Sequence, residues 1–119
     1  MSAGIIIFAH GSRIESANDA VRAVAAEAAQ LGDFENYEIA FLDYPPRLDD
    51  AVRRLKERSV ARILVVPYFL TLGLHLQRDL PAIIERLKAE HPGVQIEVTA
   101  PLDGHEALAR IVADRVRGQ

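Results

Sequence analysis

A chain of 119 residues and 13.1 kDa has the length of a single domain, which excludes a cleft between two domains within one copy. Half its residues are apolar and 26% are charged, the balance of a folded globular chain and not of a disordered one. With 17 acidic against 14 basic residues the net charge is −3, and the bases form no stripe that tracks a phosphate backbone, so nucleic acid is not an expected partner. There is no cysteine, which rules out disulfides, thiolate metal sites and cysteine nucleophiles and leaves any metal to His or carboxylate.

In chain order, the first apolar run, Gly4–Ala9, reads as a buried strand. It is too short to span a bilayer, and the amino terminus lacks the basic flank and cleavage site of a leader; a cytoplasmic protein with no membrane partner is expected. Ala17–Leu31 carries small and apolar residues at three- and four-residue steps, with Ser16 and Asp19 as an expected capping box and Gly32 as the stop. A second strand over Tyr37–Leu42 leads through Pro45 and Pro46 to a helix marked by Leu48, Ala51, Val52 and Leu55. A third strand over Ala61–Tyr68 precedes a helix marked by Leu80, Ile83, Ile84 and Leu87 and ended by Pro92–Gly93. Asp79, just before Leu80–Pro81, is expected to cap that helix, and His91 to sit as a cation at its negative end. The fourth strand, Val94–Thr99, leads to a helix marked by Leu108, Ile111, Val112 and Val116.

Strand–helix alternation repeated four times predicts one α/β domain over 1–119: a doubly wound, flavodoxin-like sheet of four parallel strands with helices on both faces. In such sheets ligands bind beyond the carboxyl ends of the strands. Those ends carry Ala9-His10-Gly11-Ser12-Arg13, Asp43-Tyr44-Pro45-Pro46, Phe69-Leu70-Thr71-Leu72-Gly73-Leu74-His75 and Ala100-Pro101-Leu102-Asp103-Gly104-His105. Three of the four histidines therefore lie at one edge. Neutral imidazoles bind borderline divalent metals and accept protons near pH 7, which makes His10 and His75 candidate metal ligands and bases. His105 either joins them or merely opens the last helix. Asp43 is a turn residue or a carboxylate facing the same cleft. Ser12 and Arg13 can hold an anion at a helix start, or Ser12 is a turn serine. Phe69, Leu70, Leu72 and Leu74 around Gly73 form either a buried or intersubunit surface or a wall for a flat apolar ligand.

The strings of a P-loop, a dinucleotide fold and a nucleophile elbow are all absent. A receiver domain has this size and winding, but the third strand ends Val66-Pro67-Tyr68 without an aspartate, and the only lysines, Lys56 and Lys88, fall in helices.

Ile5-Ile6-Ile7-Phe8-Ala9-His10-Gly11-Ser12-Arg13, Phe41-Leu42-Asp43, Val65-Val66-Pro67-Tyr68-Phe69-Leu70 with Gly73, His75 and Asp79-Leu80-Pro81, and Ala100-Pro101-Leu102 with His105 resemble the sirohydrochlorin chelatase family of CbiX type, nearly end to end. The resemblance implies a class II chelatase that inserts a divalent metal, with cobalt first among cobalt, iron and nickel, into sirohydrochlorin without a nucleotide and with no cofactor beyond the metal substrate. It places the family's paired catalytic histidines on His10 and His75, one ligating metal and one accepting pyrrole protons. Where many relatives carry Phe-Leu-Glu, this chain has the shorter Phe41-Leu42-Asp43. The macrocycle is flat and rich in carboxylates, which suits the apolar loop with Arg13, Arg47 and Arg78 at its rim. One small domain offers an edge and not an enclosed pocket, so a homodimer is expected. A metal or tetrapyrrole carrier on the same fold is the alternative.

Overall fold

The computed structural model describes residues 3–118. Four strands, β1 (Gly4–Ala9), β2 (Tyr37–Phe41), β3 (Arg62–Pro67) and β4 (Gln95–Val98), alternate with four helices, α1 (Glu15–Gly32), α2 (Leu48–Glu57), α3 (Leu74–Glu90) and α4 (Ala107–Arg117). All pairings are parallel, in the order β2-β1-β3-β4, as the helical crossovers require. The four predicted strands are present within a residue or so of their expected ends.

The period-two pleat sorts the strand residues onto two faces. Ile6, Phe8, Ala40, Ile63, Val65 and Ile96 point to one face, where Leu48, Ala51, Val52 and Leu55 of α2 and Leu76, Leu80, Ile84 and Leu87 of α3 close the main core. Register puts Ile7 level with Ile39 and Val66, and Ile5 level with Tyr37 and Leu64, on the opposite face, the side of α1. There α1 buries only Asn18 and Ala25, and Leu64 and Val66 remain partly exposed. Helix α4 buries no residue at all. The radius of gyration is 15.0 Å and the longest dimension 50 Å, against about 13.5 Å for a compact chain of this length.

Several local expectations are corrected. Helix α1 begins at Glu15 behind an extended Ile14 with no side-chain cap, so Ser16 and Asp19 lie inside it and form no capping box. The reason is that helical bonding starts earlier: the Ala17 N–H already donates to the Ile14 carbonyl, 3.0 Å. At the other end Gly32 is still helical, and Asp33, at φ 54°, takes the left-handed C-cap. Helix α3 starts at Leu74 behind Gly73, six residues before Leu80, so Asp79 is interior and pairs with Arg78 at 3.2 Å instead of capping. His91 is buried, and its Nδ1 accepts from the Lys56 ammonium at 3.0 Å. Its place at the C-cap of α3 is the one expected for it.

Candidate active site

The site is built by extending the sheet's hydrogen bonding past the strand ends. Leu42 N–H donates to the Ala9 carbonyl at 2.9 Å and Asp43 N–H to that of His10 at 3.2 Å, so the parallel register of β1 and β2 carries on for two residues and sets His10 beside Asp43. As a result Asp43 Oδ2 lies 3.2 Å from His10 Nδ1, both side chains more than half exposed. The short carboxylate therefore does reach the imidazole. A carboxylate beside Nδ1 favours the tautomer that carries its proton there, the arrangement in which Nε2 is the ring's acceptor atom.

Gly11 makes this turn possible. Its φ is +90°, and a Cβ there would stand 2.9 Å from Tyr44 Cδ2 and 3.0 Å from Phe41 Cβ, so both conformation and space call for glycine. Beyond it Asn18 staples the loop. Its amide donates to the Ser12 carbonyl at 2.9 Å while its Oδ1 accepts from the Ser12 N–H at 3.0 Å. The Ser12 hydroxyl is the acceptor of a local turn, as a turn serine would be. Glu15 and Asp19 both pair with Arg22 at 2.7 Å, and Arg22 lies over the Phe41 ring, 5.9 Å from its centroid. Hydrogen bonding from Arg22, with help from Asn18, holds the Glu15 carboxyl below its ordinary range. The pair is thus in place above that range and is lost only as pH falls through the lowered value. Ser12, Arg13, Glu15, Asn18, Arg22, Tyr44 and Pro45 line an open cleft of about 400 Å³.

Phe69 carries the site across to β3. Tyr68 N–H donates to the Phe8 carbonyl at 2.7 Å and Leu102 N–H to that of Phe69 at 2.9 Å, which locks this loop to both neighbours. The Phe69 ring packs edge-on against Phe8 (5.8 Å) and His10 (6.4 Å). Phe69 and Leu72 are half-buried on the core, whereas Leu70 and Leu74 are 66% and 85% exposed. The apolar loop thus divides into two anchors and two outward leucines.

His75 sits in the first turn of α3, where its Nδ1 accepts from the Arg78 guanidinium at 3.2 Å, one helical turn on. Among the described residues no three His, Asp or Glu side chains gather into a metal-binding group. His105 Nδ1 accepts from the Ala107 N–H at 3.0 Å, two residues before α4 begins. Arg47 is not a free rim cation: its guanidinium donates to the carbonyls of Leu42 (2.9 Å) and Asp43 (3.3 Å) and so fixes the loop that presents Asp43. Arg13 is exposed at the rim. Asn18 escaped the sequence reading, although a polar residue on the inward stripe of an alanine-rich helix was a usable signal.

An α/β domain with a four-stranded parallel sheet that presents imidazoles, a carboxylate and apolar side chains along one strand edge has a chelatase-like fold. The chain belongs to the CbiX family, whose model matches residues 4–119. It is 32% identical to the sirohydrochlorin cobaltochelatase of Sulfurisphaera tokodaii, over 95% of this chain and 90% of that protein. It is 30% identical to the chloroplastic sirohydrochlorin ferrochelatase of Arabidopsis thaliana, over 96% of this chain and 51% of that one. With the cobaltochelatase of Methanopyrus kandleri it shares 35% identity over 81 residues, spanning 57% of that protein. Among solved structures, a putative cobalamin biosynthesis CbiX protein from Marinobacter aquaeolei superposes with a TM-score of 0.86 at 36% identity, covering 99% of this chain and 94% of the other. SirB from Bacillus subtilis with Fe3+ superposes at 0.85 and 26% identity, with this chain covering 46% of its length. No helix among the described residues is long and apolar enough to cross a membrane.

Proposed function

We propose that this chain is a nucleotide-independent chelatase that inserts a divalent metal, cobalt first, into sirohydrochlorin, and that it works as a homodimer with the macrocycle near the interface. The observation that carries the reading is His10 with Asp43 at its Nδ1 and Phe69 against its ring, on an open edge beside exposed leucines. The relatives' names supply the substrate class.

Insertion exchanges two pyrrole N–H protons for one metal ion that must shed water as it enters. A planar macrocycle stacks on Leu70 and Leu74, and its carboxylates meet Arg13 and the helix starts at this edge. His10 Nε2 then faces the exchange zone as ligand or proton acceptor, and Asp43 stabilises the imidazolium if it takes a proton. His75 has its Nδ1 occupied by Arg78, so in neutral form it presents an N–H at Nε2. A substrate carboxylate that draws Arg78 away frees His75 Nδ1 for the metal.

The test is to mix purified protein with an excess of sirohydrochlorin and Co²⁺, Fe²⁺ or Ni²⁺ in turn, without nucleotide, and to follow the macrocycle spectrum. Many equivalents metallated per chain are expected, fastest with Co²⁺. A change that stops at one equivalent with every metal marks a carrier and overturns the proposal.

A further inference from the structure

Both peptide groups that flank Asp43 are fixed by hydrogen bonds. The one before it, between Leu42 and Asp43, is held at each end: its N–H donates to the His10 carbonyl at 3.2 Å, and its carbonyl accepts from the Arg47 guanidinium at 2.9 Å. The one after it offers the Asp43 carbonyl to the other arm of the same guanidinium at 3.3 Å. With both planes fixed, the backbone dihedrals at Asp43 are fixed as well, and the side chain has only χ1 and χ2 with which to place its carboxylate. An aspartate has no spare reach. The Asp43 Oδ2 to His10 Nδ1 contact of 3.2 Å therefore depends on where the Asp43 Cα stands, and a loop shift of about 1 Å would part the two groups.

Arg47 is itself anchored. Its N–H donates to Asp50 Oδ2 at 2.9 Å at the start of α2, and the Phe41 N–H donates to the Pro46 carbonyl at 2.8 Å, so the loop closes on itself immediately before it. A planar guanidinium spans two acceptors in a fixed fork, which a lysine ammonium cannot do. Arg47 also lines the gap between α2 and α3, with Leu48, Ile83 and Arg86, whereas Arg13 lines the open cleft on the α1 side. Turning Arg47 toward a substrate carboxylate would release the loop that presents Asp43.

We infer that Arg47 is a positioning residue for metal insertion: by holding both peptide groups around Asp43 it sets the carboxylate against His10 Nδ1, and it touches neither the metal nor the macrocycle. The inference rests on the chelatase reading above and adds to it a residue that acts only through Asp43.

The test is steady-state insertion by Arg47→Gln and Arg47→Lys, read beside a titration of each protein with sirohydrochlorin in the absence of metal. Arg47→Gln should lose about 10-fold in kcat, with KM and macrocycle affinity unchanged. Arg47→Lys keeps the charge and should still lose kcat, because one ammonium does not span both carbonyls. In an Asp43→Asn background, Arg47→Gln should cost no more than about twofold, since the contact it serves is already gone. A substrate-binding cation gives the opposite pattern, a raised KM and weakened macrocycle affinity in Arg47→Gln that Arg47→Lys restores. That pattern, wild-type kcat in Arg47→Gln, or an equal loss with and without the Asp43 carboxylate overturns the positioning role and leaves the chelatase standing. If circular dichroism finds Arg47→Gln unfolded, Arg47→Lys carries the same readings. A wild type that stops at one equivalent overturns the chelatase, and the role of Arg47 with it.

Discussion

Replacing His10 by alanine should lower kcat/KM for cobalt insertion by about 10²–10⁴-fold, or roughly 3–5 kcal/mol of transition-state stabilisation, while the melting temperature stays within a degree or two of wild type. The asymmetry follows from position. His10 is exposed, follows the last residue of β1, and meets the Asp43 carboxylate and the edge of Phe69, so its loss removes chemistry and little packing. Steady-state rates at varied macrocycle concentration, read beside a thermal melt, check both halves. A variant with normal rates would remove His10 from the mechanism.

Gly11→Ala should do the reverse, costing about 2–4 kcal/mol of stability and most of the activity with it. The methyl group would enter the space of Phe41 and Tyr44 at a backbone angle of +90°. Phe41 belongs to the packed end of β2, fully buried, and cannot yield cheaply. If the turn relaxes instead, His10 swings away from Asp43, and activity falls even where the fold survives. Denaturant unfolding and the insertion rate, measured on the same preparation, distinguish these routes; wild-type values for both would contradict the described turn.

Much of this architecture was legible in the chain because its signals are local. Short apolar runs separated by helical spacing are the marks of buried parallel strands, and they placed His10, Asp43, Phe69 and His105 at one edge before any coordinates. What local signals do not carry is the use to which a side chain is put. Arg47 reads as a rim cation, yet the backbone carbonyls of Leu42 and Asp43, in the loop that presents the site carboxylate, claim its guanidinium. His75 reads as a loop residue, but α3 extends back to Leu74 and sets the imidazole one turn from Arg78. Asn18 matters through two bonds to a residue six positions earlier, a pairing visible only once the turn at Gly11 has closed. The fourth helix has the amphipathic spacing of a core helix, yet α4 buries none of its residues, because spacing alone does not supply a surface to pack on.

The pairing of Asp43 with His10 is the centre of this account, and a double-mutant cycle tests it most directly. Asp43→Asn should lower kcat/KM for cobalt insertion by about 10–100-fold, His10→Ala by more, and the double variant by no more than His10→Ala alone, because the carboxylate acts through the imidazole. Losses that multiply in the double variant would show the two residues acting independently and contradict the assignment.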